Sequence, residues 1–110
     1  MFHKLFDDEN TVDLNRLFDD INKEHFNNKI TKIPCVWNIR LRICAGKCHY
    51  TRRRNPSTLS MEMTPTKIEL SKKLFENNNM DIDKITNTMI HEMVHAYLLE
   101  HYNQSHRYNY

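Results

Sequence analysis

The stretch Met89-Ile90-His91-Glu92-Met93-Val94-His95-Ala96-Tyr97-Leu98-Leu99 decides the reading of this 110-residue chain. From Asp81 to about Tyr102, Ile82, Ile85, Met89, Met93 and Tyr97 recur at spacings of three and four, and Ile90, Val94 and Leu98 widen the stripe. That period predicts one long amphipathic helix, with Asp81 or Asp83 capping or charge-stabilising its start. On a helix, residues four apart share a face with Cβ atoms roughly 5 to 6 Å apart, so His91 and His95 can both reach one Zn²⁺ through bonds of about 2.0 to 2.1 Å. Glu92 follows about 100° further round, where it can exchange a proton with water and a leaving amine. The competing reading is a solvated helix with two surface histidines.

Two imidazoles leave the site incomplete, because catalytic zinc takes three protein ligands and keeps a fourth position open. His101 lies six residues after His95, a spacing that needs a glycine three residues after the second histidine, where this chain has Leu98. A continued helix would carry His101 about 9 Å along the axis and away from the metal. His106 is the better candidate, since Asn103-Gln104-Ser105 offers a helix stop and a polar turn. His3, His25 and His49 have no ligand spacing, and Tyr97 reads as packing.

A chain this short forms one domain over residues 1–110, and its 39% hydrophobic content suffices for a modest core. No stretch approaches 18 apolar residues and the acidic Asp7-Asp8-Glu9 follows the start, so neither a membrane span nor a signal peptide is expected. Three cysteines, an odd number, fit a reducing intracellular compartment. Cys44-Ala45-Gly46-Lys47-Cys48-His49 lacks zinc-knuckle spacing and reads as small buried residues.

The net charge of +2 conceals an uneven distribution. Residues 29–73 hold eleven Lys/Arg against two Asp/Glu, whereas both flanks are acidic. Arg40, Arg42, Lys47, Arg52, Arg53 and Arg54 are therefore candidates for contact with nucleic-acid phosphates; a solvated basic loop is the alternative.

A coarse pass predicts an α+β plan: a small mixed or antiparallel sheet, an N-terminal helix and the helix bearing the histidines. The first helix should begin at Asn10-Thr11, bury Leu14, Leu17, Phe18 and Ile21, and end near Asn27-Asn28. Val36, Trp37 and Ile39 read as one strand, Leu41 and Ile43 as another, and Gly46 as a turn returning through Cys48 and Tyr50. Ser57 to Met63 and Lys67 to Ser71 read as extended pieces interrupted by Pro65, with a free strand edge near Met61 to Met63 for an extended peptide.

Three segments together carry a family resemblance: residues 36–50, with Trp37 and Cys44-Ala45-Gly46-Lys47-Cys48-His49-Tyr50; Ile68-Glu69-Leu70-Ser71; and residues 89–99. In order and separation they resemble the SprT-like protease domain, in its Spartan branch, from about Leu14 onward. The resemblance implies a zincin-like metalloprotease fold with one catalytic zinc ion, His91 and His95 as ligands, Glu92 as catalytic acid and base, and a later histidine completing the set. His106 followed by Tyr110 reproduces the family's interval to an aromatic, although Arg107 stands where the family has glycine. It further implies a zinc-dependent endopeptidase acting on proteins crosslinked to DNA. Single-stranded or junction DNA would be its partner, its setting nuclear and chromatin-associated, and its state a monomer. A catalytically silent DNA-binding or adaptor module with the same fold is the alternative function.

Overall fold

A computed structural model describes residues 6–7 and 11–102. A two-stranded antiparallel ribbon joins β1 (Phe6–Asp7) to β2 (Thr11–Val12) and leads into helix α1 (Leu14–His25). Next come β3 (Cys35–Asn38), β4 (Gly46–Arg54), β5 (Met61–Ser71), the short helix α2 (Lys72–Asn77) and α3 (Ile82–Tyr102). The sheet order is β3-β5-β4, with β3 parallel and β4 antiparallel to the central β5. The architecture is thus mixed α+β.

Helix α1 starts later than the sequence suggests, because the Asp13 carboxylate accepts the backbone N–H groups of Asn15 at 3.1 Å and Arg16 at 3.2 Å and fixes the N-cap there. Its stripe of Leu14, Leu17, Phe18 and Ile21 is buried as expected. Asn27 and Asn28 end it in the left-handed region, at φ 51° and 59°. Two asparagines then tie the helix to the chain leading into β3. Asn22 donates to the Ile30 carbonyl (2.8 Å) and accepts the Ile30 N–H. Asn15 makes the same two-way pairing with the backbone of Cys35, presenting the first residue of β3 with a surrogate strand neighbour.

The strands depart from expectation in four places. Ile39, Leu41 and Ile43 lie outside any strand. The Asn38 side chain accepts the Arg40 N–H at 2.8 Å, and this local turn competes with further ladder pairing and stops β3. Gly46 is the first residue of β4 rather than a turn. β5 runs unbroken through Pro65, which sits at the register shift opposite His49 and Tyr50 and beyond the span that β3 pairs. Residues 55–60 form the hairpin loop, so Ser57 to Ser60 belong to no strand. The small helix α2, unforeseen in the sequence, is capped by the Ser71 hydroxyl.

Helix α3 spans almost the residues its period predicts. Asp81 caps it, accepting from Asp83 N (3.0 Å) and Lys84 N (3.3 Å). Its Ile85, Met89, Met93, Ala96 and Leu99 are wholly buried in one cluster with Cys35, Cys48, Ile68 and Leu70 of the sheet and the apolar stripe of α1. The helix therefore lies across β5 and β4, which aims its histidine turn past the start of β4. Trp37 stands on the same Leu70 rung as Gly46 but on the other edge of the sheet, with its indole N–H on the Val12 carbonyl at 2.9 Å and its ring edge-on to Phe75. Among the described residues, no helix is long and apolar enough to cross a membrane.

Candidate metal centre

His91 and His95 sit one turn apart on α3, and their Nε2 atoms approach to 3.1 Å, with the rings nearly perpendicular at 87°. Two nitrogens sharing a tetrahedral ion through bonds of about 2.0 Å would stand roughly 3.3 Å apart, so this pair is already close to that spacing. One donor atom from each of His91, Glu92 and His95 lies within 4.8 Å of the others. Two borderline-soft imidazole nitrogens with a carboxylate alongside make a donor set suited to zinc.

Burial divides the three. His91 is exposed, whereas Glu92 and His95 are only 6% and 5% exposed. Burial pushes the Glu92 carboxyl up to about 7, because the charged form loses its hydration. The start of β4 presses on this carboxylate. A Cβ added to Gly46 would stand 2.9 Å from Thr88 Cγ2, 3.1 Å from Glu92 Cγ and 3.3 Å from Glu92 Oε2. The only glycine of the chain therefore permits a close approach of backbone to helix, not an unusual backbone angle. Two residues on, the Cys48 thiol is pushed up to about 12, first by burial, then by the Glu92 charge and Cys35. Cys35 is likewise raised to about 12, mainly by burial, so neither thiol is a ready nucleophile or ligand.

Beside the cluster opens a cleft of about 400 Å³, lined by Cys44, Ala45, Gly46, Asn87, Thr88, His91 and Glu92. Cys44 is exposed here, a correction to its reading as a buried residue; Cys35 and Cys48 are buried. Asn87 and Thr88, one turn before His91, belong to no motif; helical spacing puts Thr88 on the face of His91 and His95, whereas Asn87 carries no such signal. Among the described residues two edges are open: the outer edge of β4, which begins at the cleft, and the side of β5 at Met61 to Met63, which lies beyond the span that β3 pairs and keeps the free edge expected there.

The remaining histidines are placed elsewhere. His101 donates from Nε2 to the Lys29 carbonyl (2.8 Å) and lies 4.4 Å from the Tyr97 ring, in a packing role. His49 pairs with Glu69 at 2.7 Å on the other face of the sheet, and His25 is an exposed neighbour of Glu24. His106 and His3 lie outside the described residues, as does the turn expected at residues 103–105. The basic candidates are all exposed and fall into two groups. Arg40, Arg42 and Lys47 surround the start of β4. Arg52, Arg53 and Arg54 occupy its far end, roughly 17 Å from Lys47 at about 3.4 Å per residue.

The SprT-like family model matches residues 14–110. The chain is 30% identical over 88 residues to the DNA-dependent metalloprotease SPRTN of Homo sapiens, covering 80% of this chain and 16% of that protein. Identity to the SPRTN of Rattus norvegicus is 31% over the same shares, and to that of Xenopus tropicalis 28% over 86% of this chain and 19% of the relative. No solved structure matches the chain. Helix, sheet edge and His-Glu-His cluster accompany a match along most of the sequence, and the chain belongs to the SprT-like family.

Proposed function

We propose that the chain is a single zincin-like domain working as a zinc-dependent endopeptidase on proteins crosslinked to DNA, a reading supported by its likeness to DNA-dependent metalloproteases. The observation that carries this reading is the pair of imidazole nitrogens 3.1 Å apart beside a buried carboxylate at the end of an open cleft. His91 and His95 would hold the zinc ion, and His106 is the proposed third ligand. Zinc bound there supplies Lewis-acid polarisation of the scissile carbonyl and acidifies the attacking water. Glu92, poised near pH 7 by burial, takes the proton from that water as the bond to the peptide carbon forms. It then returns the proton to the departing amide nitrogen. The outer edge of β4, beginning at Gly46, would align the peptide by strand addition, so that its backbone is held before the bond is cut.

The basic residues Arg40, Arg42, Lys47, Arg52, Arg53 and Arg54 would bind DNA phosphates, single-stranded or at junctions, and the working form would be a nuclear, chromatin-associated monomer. The catalytic claim is tested with Glu92→Gln. Zinc content stays near one ion per chain while chelator-sensitive cleavage of a DNA-bound protein falls at least a hundredfold. Retained cleavage removes Glu92 from its role.

A second reading, a catalytically silent DNA-binding or adaptor module, turns on whether a third ligand joins the cluster of His91, Glu92 and His95. Metal analysis separates the two. The peptidase binds zinc in a manner that His106→Ala weakens, whereas the silent module holds little metal with or without that substitution.

A further inference from the structure

Between β3 and β4 the chain makes a short bow whose two ends are tied to one residue. Ser71 is fully buried; its hydroxyl donates to the Leu41 carbonyl at 2.6 Å and its backbone N–H donates to the Ala45 carbonyl at 2.8 Å. The same hydroxyl accepts the Leu74 N–H at 3.1 Å and caps α2, which fixes Ser71 from a third side. Residues 42–44 are thereby held out between two pinned points, and all three are exposed. Ile43 is 100% exposed and Ile39 67%. An isoleucine wholly in water contributes nothing to the core, although burying one would stabilise the fold. Its position gives it a use, because the next two residues, Cys44 and Ala45, line the cleft with His91 and Glu92.

We infer that Ile43 is a specificity-determining residue of that cleft, covering an apolar side chain of an extended peptide. This rests on the peptidase reading and deepens it by naming the substrate class. Gly46 touches Glu92, and Ile43 lies three residues before it, a span of at most about 11 Å. An extended peptide advances about 3.4 Å per residue, so the covered side chain lies within roughly three residues of the bond cut. Arg40 and Arg42 flank the isoleucines and keep the bow soluble before substrate arrives. The pinning by Ser71 matters because an anchored loop loses little conformational freedom on binding.

The test uses the full zinc-supplemented chain carrying Glu92→Gln, so that peptides bind without being cut. Fluorescence anisotropy compares two extended peptides that differ only by Leu or Ser within three residues of the cleavage site. The Leu peptide should bind about tenfold tighter, Ile43→Leu should keep that ratio, and Ile43→Asp should reduce it to less than about twofold. A Leu/Ser ratio near one in the Glu92→Gln chain, or a ratio that survives Ile43→Asp, overturns the inference. So does an outcome in which Ile43→Asp weakens binding of a single-stranded oligonucleotide and leaves the peptide ratio unchanged. If the wild-type chain cuts nothing yet the Ile43-dependent ratio persists, the peptidase reading falls and the apolar peptide site stands.

Discussion

At the scale of single residues, the site depends as much on a missing side chain as on those present. Gly46 lets β4 close on Thr88 and Glu92, and alanine there would put a methyl 2.9 Å from Thr88 Cγ2. The neighbour is the branch of a stiff β-branched side chain on a packed helix, so the strain is not relieved by a rotamer change alone. Gly46→Ala is expected to cost about 1 to 3 kcal/mol and to displace the Glu92 carboxylate, lowering proteolysis more than tenfold. Thr88→Ser removes the clashing methyl, so the double variant should recover stability by a clear positive coupling in denaturant unfolding. Additive losses would show that the contact does not govern the position of Glu92. None of this was legible in the sequence, where a lone glycine after a run of alternating residues signals a turn. His91, Glu92 and His95 were legible because helical spacing alone brings them together, whereas a close approach between distant segments leaves no local pattern.

Among the elements, α1 and α3 were the easy ones. Their apolar residues repeat at helical spacing and a carboxylate stands at each start, although the cap of α1 proved to be Asp13 rather than residues 10–11. The strands were harder, since Ile39, Leu41 and Ile43 alternate as a strand should and yet are held out of the sheet by the Asn38 turn and by Ser71. What keeps β4 in register instead is a polar clamp on the far face of the sheet. Burial alone would push the Glu69 carboxyl up, but hydrogen bonds from His49, Asn38 and Lys67, with the His49 charge, outweigh it and hold the carboxyl below its usual value. His49 belongs to β4 and stands at the register shift, so the clamp joins the edge strand to β5 just where pairing is irregular. A lowered folded value means that the carboxylate stabilises the fold above the ordinary carboxylate range, and that this contribution disappears as pH falls through the lowered value. Glu69→Gln should therefore destabilise the chain by about 2 kcal/mol at pH 7, with the gap to wild type narrowing steadily below about pH 4.5. Urea unfolding of both proteins between pH 3 and pH 7 measures it, and a gap that stays constant over that range would show that ionised Glu69 is not the source.

For the whole molecule, positive charge is spread along β4 and the loop before it rather than gathered at one place. The excess of positive residues in the middle of the sequence suggests one basic surface, but the strand separates it into a group at the cleft mouth and a group at the hairpin end, about 17 Å apart. Five rungs of strand therefore lie between two sets of three cations, a distance that covers roughly five phosphate steps at about 3.4 Å per nucleotide of a duplex strand. Their separate contributions can be read from salt dependence, because each phosphate contact releases a counterion whatever the base sequence. Neutralising Arg52, Arg53 and Arg54 by alanine should reduce the slope of log affinity against log salt by about 2 to 3, as should neutralising Arg40, Arg42 and Lys47. If a single DNA molecule spans both groups, the six-residue variant should lose the sum of the two slopes, and proteolysis should fall with it in low salt. Should only the cleft-mouth set alter the slope, the DNA would pass across the entrance to the cleft, and the hairpin arginines would be a solvated end with no part in binding. If neither set changes the slope, the basic strand is not the DNA contact at all.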